Sequence, residues 1–346
     1  MEHLYVGIDC GKKLSELFGF TDQGEVVVTG ALGMYDLEPW RKKFSVLRSQ
    51  YQLHVAFEVG PHYDWLYDLL TEYCAEVVVV NPANFALISR SQRKTDRIDA
   101  QLLAEGVRRG DLPAVHVPDK QTRADRRLVA FVHWHGQQLG AVKTKLRSLL
   151  QQHRLECPFT NILGKGGRRW LGEKMPEFDP QAQVFVKLLV EQAEWLVKQR
   201  CELDQRVEAR AATYAQAKVL QTIPGFGPLV ILATLSAIAG IPRFARPERL
   251  SSYFGVCGSV YQSGQTLRLG SLTKRGNVHV RWLLSQALHH LHRKDPRARR
   301  RYQRLRRKKP CGVARGAQVR WLTEIIWHML TKNEAYRLGG KAKLAA

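Results

Sequence analysis

The sequence predicts an α/β domain, then a long helical segment, then a mainly helical C-terminal part. Three observations predict this. Short β-branched runs alternate with helix-spaced apolar residues over 1–118, long helical stretches fill 119–215, and helices separated by Gly-rich loops occupy 216–346.

Within 1–118, LYVGID (4–9) is an apolar strand that ends in an acid. ELFGFT (16–21) and EVVVTG (25–30) flank the turn-forming DQG, as in a hairpin. A helix over 36–50 precedes the strand HVAFEVG (54–60). PHYDWLYDLLTEYCAE then places Trp65, Leu66, Leu69, Leu70 and Tyr73 at helical spacing, with Pro61 at the start. VVVV (77–80) has the continuous β-branched character of a central buried strand. Antiparallel strands followed by βαβ units are the order of an RNase H-like domain.

In 119–215, KQTRADRRLVAFVHWHGQQLGAVKTKLRSLLQQH reads as one long helix with a basic face, GKGG (164–167) as a break, and the stretch from 180 as a second helix. Leu189, Leu196 and Leu203 recur every seven residues, while Gln192 and Gln199 fill the partner positions poorly. A helical hairpin or short coiled coil is expected, and a plain helical bundle is the alternative. From 216, IPGFGP (223–228) has the form of a helix-hairpin-helix-like turn. There Gly225 and Gly227 let backbone amides approach a phosphate, or simply make a tight interhelical turn. A Gly-rich loop region, a helix over 278–292, the basic run HRKDPRARRRYQRLRRKKP and a final apolar helix complete the chain.

The 346 residues carry 54 Lys+Arg against 31 Asp+Glu, a net charge of +23, so a polyanion is the expected partner. An anionic membrane surface competes with nucleic acid for that role. However, no stretch approaches the roughly 20 apolar residues that a spanning helix needs. MEHLYVGID lacks the charged region, apolar run and cleavage site of a secretory leader. Six cysteines scattered without a CxxC pair argue against a zinc site or disulfide framework. The expectation is a cytoplasmic nucleic-acid-binding protein with no membrane partner.

Among few acids, four draw notice. Asp9 closes the first strand and Glu58 sits near the end of a later one. Asp96 and Asp99 stand three apart, on one face if helical, among Arg93, Lys94 and Arg97. Each alone has an ordinary explanation as a strand end, a helix N-cap or a surface ion-pair partner worth about 0.3–0.5 kcal/mol. Together they offer the oxygen ligands that Mg²⁺ prefers, in a two-metal arrangement suited to phosphoryl transfer. In the C-terminal part, YQSGQTLRLGSLTKRGN places Ser263 in a polar loop with Arg268, Lys274 and Arg275 nearby. A serine hydroxyl attacks a phosphodiester only when a base or metal activates it.

VGIDCGKK, AFEVG and RKTDRIDA resemble the DEDD-type transposases of bacterial insertion sequences that also carry an essential serine. This is the insertion-sequence one-ten family, which includes Piv-like DNA invertases and bridge-RNA-guided recombinases. IPGFGP, SYFGV, SGQTLRLGSLTKRGN and VRWLTEIIWHMLTKNEAY resemble its C-terminal transposase domain, so the likeness runs along nearly the whole chain. It departs at Cys10-Gly11, where a small or β-branched residue and serine are common, and at Cys257-Gly258, where proline is frequent.

The resemblance implies a RuvC-like domain whose Asp9, Glu58, Asp96 and Asp99 bind two Mg²⁺ ions, with Mn²⁺ able to replace them. It implies Ser263 as nucleophile, with Ser271, Ser259 and Tyr261 as lesser candidates, and a covalent serine–DNA intermediate. The implied partners are donor and target DNA, a structured noncoding bridge RNA, and further copies of the chain in a homodimer or homotetramer. When bound to DNA such a protein is nucleoid-associated. The residues expected to contact nucleic acid are Lys12, Arg93, Lys94, Arg97, Arg126, Arg127, Lys143, Lys145, Gly225, Gly227, Arg268, Lys274, Arg275, Arg300 and Arg304, with Tyr302 available to stack. Two other functions use the same features. A hydrolytic junction resolvase would employ the acids with water as nucleophile, and a non-catalytic RNA-binding protein would employ only the cations.

Overall fold

The computed structural model describes residues 1–81, 95–263, 266–273 and 276–338, with the backbone alone along most of 260–271. The chain divides into two compact units, Met1–Lys120 and Gln121–Ala346.

The first unit is built on a five-stranded sheet of order β3-β2-β1-β4-β5. Strands β1 (Glu2–Cys10), β2 (Leu14–Thr21) and β3 (Val26–Gly33) run antiparallel, while β4 (Tyr51–Glu58) and β5 (Glu76–Val80) add parallel to β1. This mixed sheet is consistent with an RNase H-like start. Side-chain alternation along each strand sorts residues between two faces. Leu4, Val6 and Ile8 of β1 and Leu53, Val55 and Phe57 of β4 pack with Trp40, Phe44 and Leu47 of α1 (Glu38–Gln50) and Leu66, Leu69 and Leu70 of α2 (Tyr63–Tyr73). The opposite face is covered by α3 (Asp96–Arg109), whose Ala100, Ala104, Leu103 and Val107 pack over Phe18, Phe20, Ala56 and Val80.

The second unit opens with two 33-residue helices, α4 (Lys120–Gln152) and α6 (Pro180–Ala212), on either side of the short α5 (Lys165–Lys174). They are antiparallel. Asp125 near the start of α4 binds Arg210 near the end of α6, and His153, just past α4, meets Asp179, the N-cap of α6. The expected hairpin is therefore present. Its buried row on α6 is Ala182, Val186, Ala193 and Leu196, with Leu189 packed alongside, at alternating spacings of four and three. Ala193 rather than Gln192 pairs with Leu189 and Leu196, which restores the apolar repeat.

The roots of both helices (Val129, Val132, Val207 and Ala211) belong to the core of the C-terminal helices. At its centre lies α8 (Pro228–Ile238), buried from Val230 to Ile238. Helices α7 (Ala217–Gln221), α9 (Pro247–Tyr253), α10 (Val278–Lys294), α11 (Pro296–Arg306) and α12 (Cys311–Lys332) surround it, and strands β6 (Gly258–Ser263) and β7 (Thr266–Leu272) form an antiparallel hairpin. No helix among the described residues is long and apolar enough to cross a membrane.

Candidate active site

The candidate site of the first unit begins with a glycine. A Cβ at Gly7 would stand 1.8 Å from the Ala100 carbonyl oxygen and 2.6 Å from the Ala104 nitrogen, so α3 lies directly on the β1 backbone. Gly7 and Asp9 are two apart and share a face, which places Asp9 on the side that α3 covers. Glu58 is two residues beyond Ala56, which packs under α3, so Glu58 is on that face too. Parallel pairing of β1 with β4 runs to Ile8↔Phe57, and the next step along both strands is Asp9 beside Glu58. The Cys10 thiol senses both acids. Burial, then the field of Asp9 and that of Glu58, push it up to about 12.

Helix α3 supplies the other two acids. Arg108 lies over Phe20, the cross-strand partner of Tyr5, while Ala100 and Ala104 lie over Gly7, so the helix runs antiparallel to β1. Two strand residues advance about 6.6 Å, or between four and five helical residues, which brings the turn Asp96–Asp99 to the level of Asp9. Asp96 is one turn before Ala100, on the row over β1. Asp99 is one turn before Leu103, on the row over Ala56 and Val80. Thr95 caps the helix, its Oγ1 accepting from the Ile98 N–H at 3.3 Å, and two acids in a first turn suit the helix dipole.

The backbone thus directs four carboxylates to one face and one end of the sheet. Their oxygens are hard donors, which fits a divalent cation. Among the described residues no group of three or more His, Cys, Asp or Glu is gathered closely enough to hold an ion. A fifth acid joins the same face: Glu16 pairs with Asp9 across the β1–β2 hairpin, two residues before Phe18. Its sequence signal is its distance from Asp9 across the Gly11–Lys13 turn that joins β1 to β2.

In the second unit, Ser263 ends β6 and pairs with Thr266, and Arg268 of β7 pairs with Tyr261. The hairpin is fastened at its base. Thr273 N–H donates to Cys257 O at 2.9 Å, and a Cβ at Gly316 of α12 would collide with Leu272 at 2.6 Å. Arg93, Lys94, Lys274 and Arg275 lie outside the described residues.

The remaining expected nucleic-acid contacts separate by position. Lys12, Arg97, Arg127, Lys145, Arg300 and Arg304 are exposed, and Lys143 is half-buried. Arg126 has an internal occupation: its Nε donates to Ser236 O at 2.8 Å and its Nη2 to Ala237 O at 3.0 Å, satisfying the end of α8. Tyr302 stacks on His292 at 4.8 Å and its hydroxyl lies 3.4 Å from Cys311 Sγ. Gly225 has φ of +93° and a Cβ there would meet Ala287 O of α10 at 2.8 Å, so interhelical packing alone requires glycine. Gly227 is the exposed N-cap of α8 with open space around it.

Comparison with known proteins agrees with both halves of this arrangement. Residues 6–154 match the DEDD transposase model of the IS110 group, and residues 217–303 match the model for transposases of the IS116/IS110/IS902 family. The chain is 24% identical to the transposase of insertion sequence element IS1111A of Coxiella burnetii, over 96% of this chain and 91% of that protein. It is 26% identical to y4qE of Sinorhizobium fredii, named as a transposase, over 81% of this chain and 70% of that one. With a DEDD model over the acid-bearing unit and a second model over the serine hairpin, the chain belongs to the IS110-family insertion-sequence transposases.

Proposed function

We propose that this transposase cuts and rejoins DNA through a covalent serine–DNA intermediate, at sites chosen by a structured guide RNA. The observation that carries this is the placement of Asp9 and Glu58 at neighbouring strand ends, with the Asp96–Asp99 turn at their level. Divalent ions held by Asp9, Glu58, Asp96 and Asp99, Mg²⁺ above all, supply charge neutralisation at the phosphate and the leaving oxygen. Ser263 Oγ attacks phosphorus. A P–Oγ bond replaces the P–O bond to the departing deoxyribose, which gains a proton as the serine loses one. The phosphodiester count is conserved, so a second strand end reseals the DNA by the reverse exchange without ATP.

The acids belong to the first unit and Ser263 to the second, and the reaction needs both, supplied by one chain or by different copies in a dimer or tetramer. Exposed cations, Lys12 and Arg97 near the acids and Arg127, Lys145, Arg300 and Arg304 in the second unit, serve as phosphate contacts together with half-buried Lys143. A net charge of +23 suits simultaneous binding of two DNA segments and an RNA whose base pairing reads the sequence.

The test is strand exchange between donor and target plasmids, with RNA transcribed from the noncoding DNA flanking the gene. Exchange is expected to need the RNA, a divalent cation, Asp99 and Ser263. Persistent nicking by Ser263→Ala would support water as nucleophile, and exchange without RNA would remove the guide.

A further inference from the structure

The second unit holds large aromatic side chains in water. On α4, Phe131 and Trp134 are 50% and 49% exposed and their rings pair at 5.3 Å. Exposed Arg127 lies one turn before Phe131, so Arg127, Phe131 and Trp134 follow the i, i+4, i+7 spacing of one helix face. On α10, Trp282 is 46% exposed. It meets the His133 ring of α4 edge-on at 5.0 Å, and His133 in turn meets His279 at 4.7 Å. The two helices thus present their aromatic residues from one joined support.

That support is fixed to the serine hairpin's own segment. Helix α10 starts five residues after Thr273, whose N–H is bonded to Cys257 O at the hairpin base. Asn277 caps α10, its side-chain oxygen accepting from the His279 and Val280 N–H groups. Gly276, at φ +136°, packs against Tyr253 O so closely that a Cβ would stand 2.3 Å away. Arg281, beside Trp282, donates from Nη1 to Phe254 O at 3.0 Å. Trp282 is therefore held on a rigid helix start next to the segment that carries Ser263.

Half-exposed Trp and Phe rings beside cations, in a chain of net charge +23, suit a partner that is anionic and flat-faced. Nucleobases stack on aromatic rings whatever their sequence, provided they are not already stacked in a duplex. We propose that Trp282, together with Phe131 and Trp134, is a stacking platform for unpaired bases of the DNA strand being exchanged. This rests on the proposed strand exchange. The link between α10 and the serine hairpin selects DNA rather than RNA as the stacked strand.

The experiment uses the full chain and a single-stranded DNA oligonucleotide containing 2-aminopurine, whose fluorescence is quenched on stacking. Trp282→Leu and the double variant Phe131→Leu/Trp134→Leu are expected to lose the quench. They should weaken single-strand binding about 5- to 100-fold while duplex binding stays as in the wild type. Trp282→Phe should restore most of both signals. Ser263→Ala and Asp99→Ala should quench and bind like the wild type, which separates this result from any failure of the catalytic reading. Three outcomes overturn the proposal: leucine variants that bind and quench normally, a Trp282-dependent preference for RNA of the same sequence, or a change confined to oligomeric state in sedimentation.

Discussion

Gly7 of β1 and Ala100 of α3 are in such close contact that a single methyl group on residue 7 would overlap the Ala100 carbonyl oxygen, at 1.8 Å. This contact sets the height of α3 above the sheet and so the reach of Asp96 and Asp99 towards Asp9 and Glu58. Gly7→Ala is expected to lift the helix, costing about 1–3 kcal/mol in denaturant unfolding. Strand exchange should fall far more than nucleic-acid binding, because the cations of the second unit are untouched.

Carboxylates drawn to one metal site repel one another until the cation joins them. Asp99→Asn and Asp9→Asn are expected to abolish exchange while leaving melting in chelator unchanged or slightly raised. In the wild type, Mg²⁺ or Mn²⁺ should raise the melting temperature with a logarithmic dependence on concentration. Calorimetry of both variants should show that rise lost.

Asp125 ties the root of the helical hairpin, accepting from Arg210 Nε and Nη2 at 2.8 and 2.9 Å and from the Tyr214 hydroxyl at 2.8 Å. Burial pushes its pKa up, but hydrogen bonds from Arg210, Tyr214 and Gln121 outweigh this and hold the carboxyl below its ordinary value. A lowered folded-state pKa gives stability that is present above the unfolded value of about 3.9 and is lost as pH falls through the folded one. Asp125→Asn should cost on the order of 3 kcal/mol at pH 7, and its deficit relative to wild type should shrink below about pH 4. Chemical denaturation across that range checks both.

Neighbouring arginines on α4 have opposite roles. Arg126→Ala leaves the Ser236 carbonyl without its guanidinium partner and the Ala237 carbonyl with Arg243 alone, and should lose about 1–3 kcal/mol of stability. Arg127→Ala, at an exposed site, should reduce the salt slope of DNA binding by about 1. Unfolding and salt-titrated affinity, measured on both variants, distinguish them.

The strands are legible because VVVV and HVAFEVG have strand character and DQG marks a turn, and the structure adds their order, their bounds and their register. That register mattered: it places Glu16 opposite Asp9, which residue types alone do not reveal. The hairpin helices were legible in outline, but the seam was misplaced by counting large residues. Ala182 and Ala193 are buried in the row that Val186 and Leu196 continue, so Gln192 stands one residue off the seam. Arg126 is likewise indistinguishable from Arg127 in sequence, since only the fold brings a helix end to one of them. Nothing in the sequence sets Gly7 apart, because only the packing of α3 on β1 demands a residue without a side chain there.

Ser263 joined to DNA, in a reaction that needs the four acids, is the intermediate on which the proposed exchange turns. Its most direct measurement is denaturing electrophoresis and peptide mass analysis of a reaction stopped midway, with labelled DNA, guide RNA and Mg²⁺. The expected product is a protein–DNA adduct whose modified peptide contains Ser263, lost in chelator and in Ser263→Ala and Asp99→Ala. Cleaved DNA free of protein, formed equally well by Ser263→Ala, would contradict it.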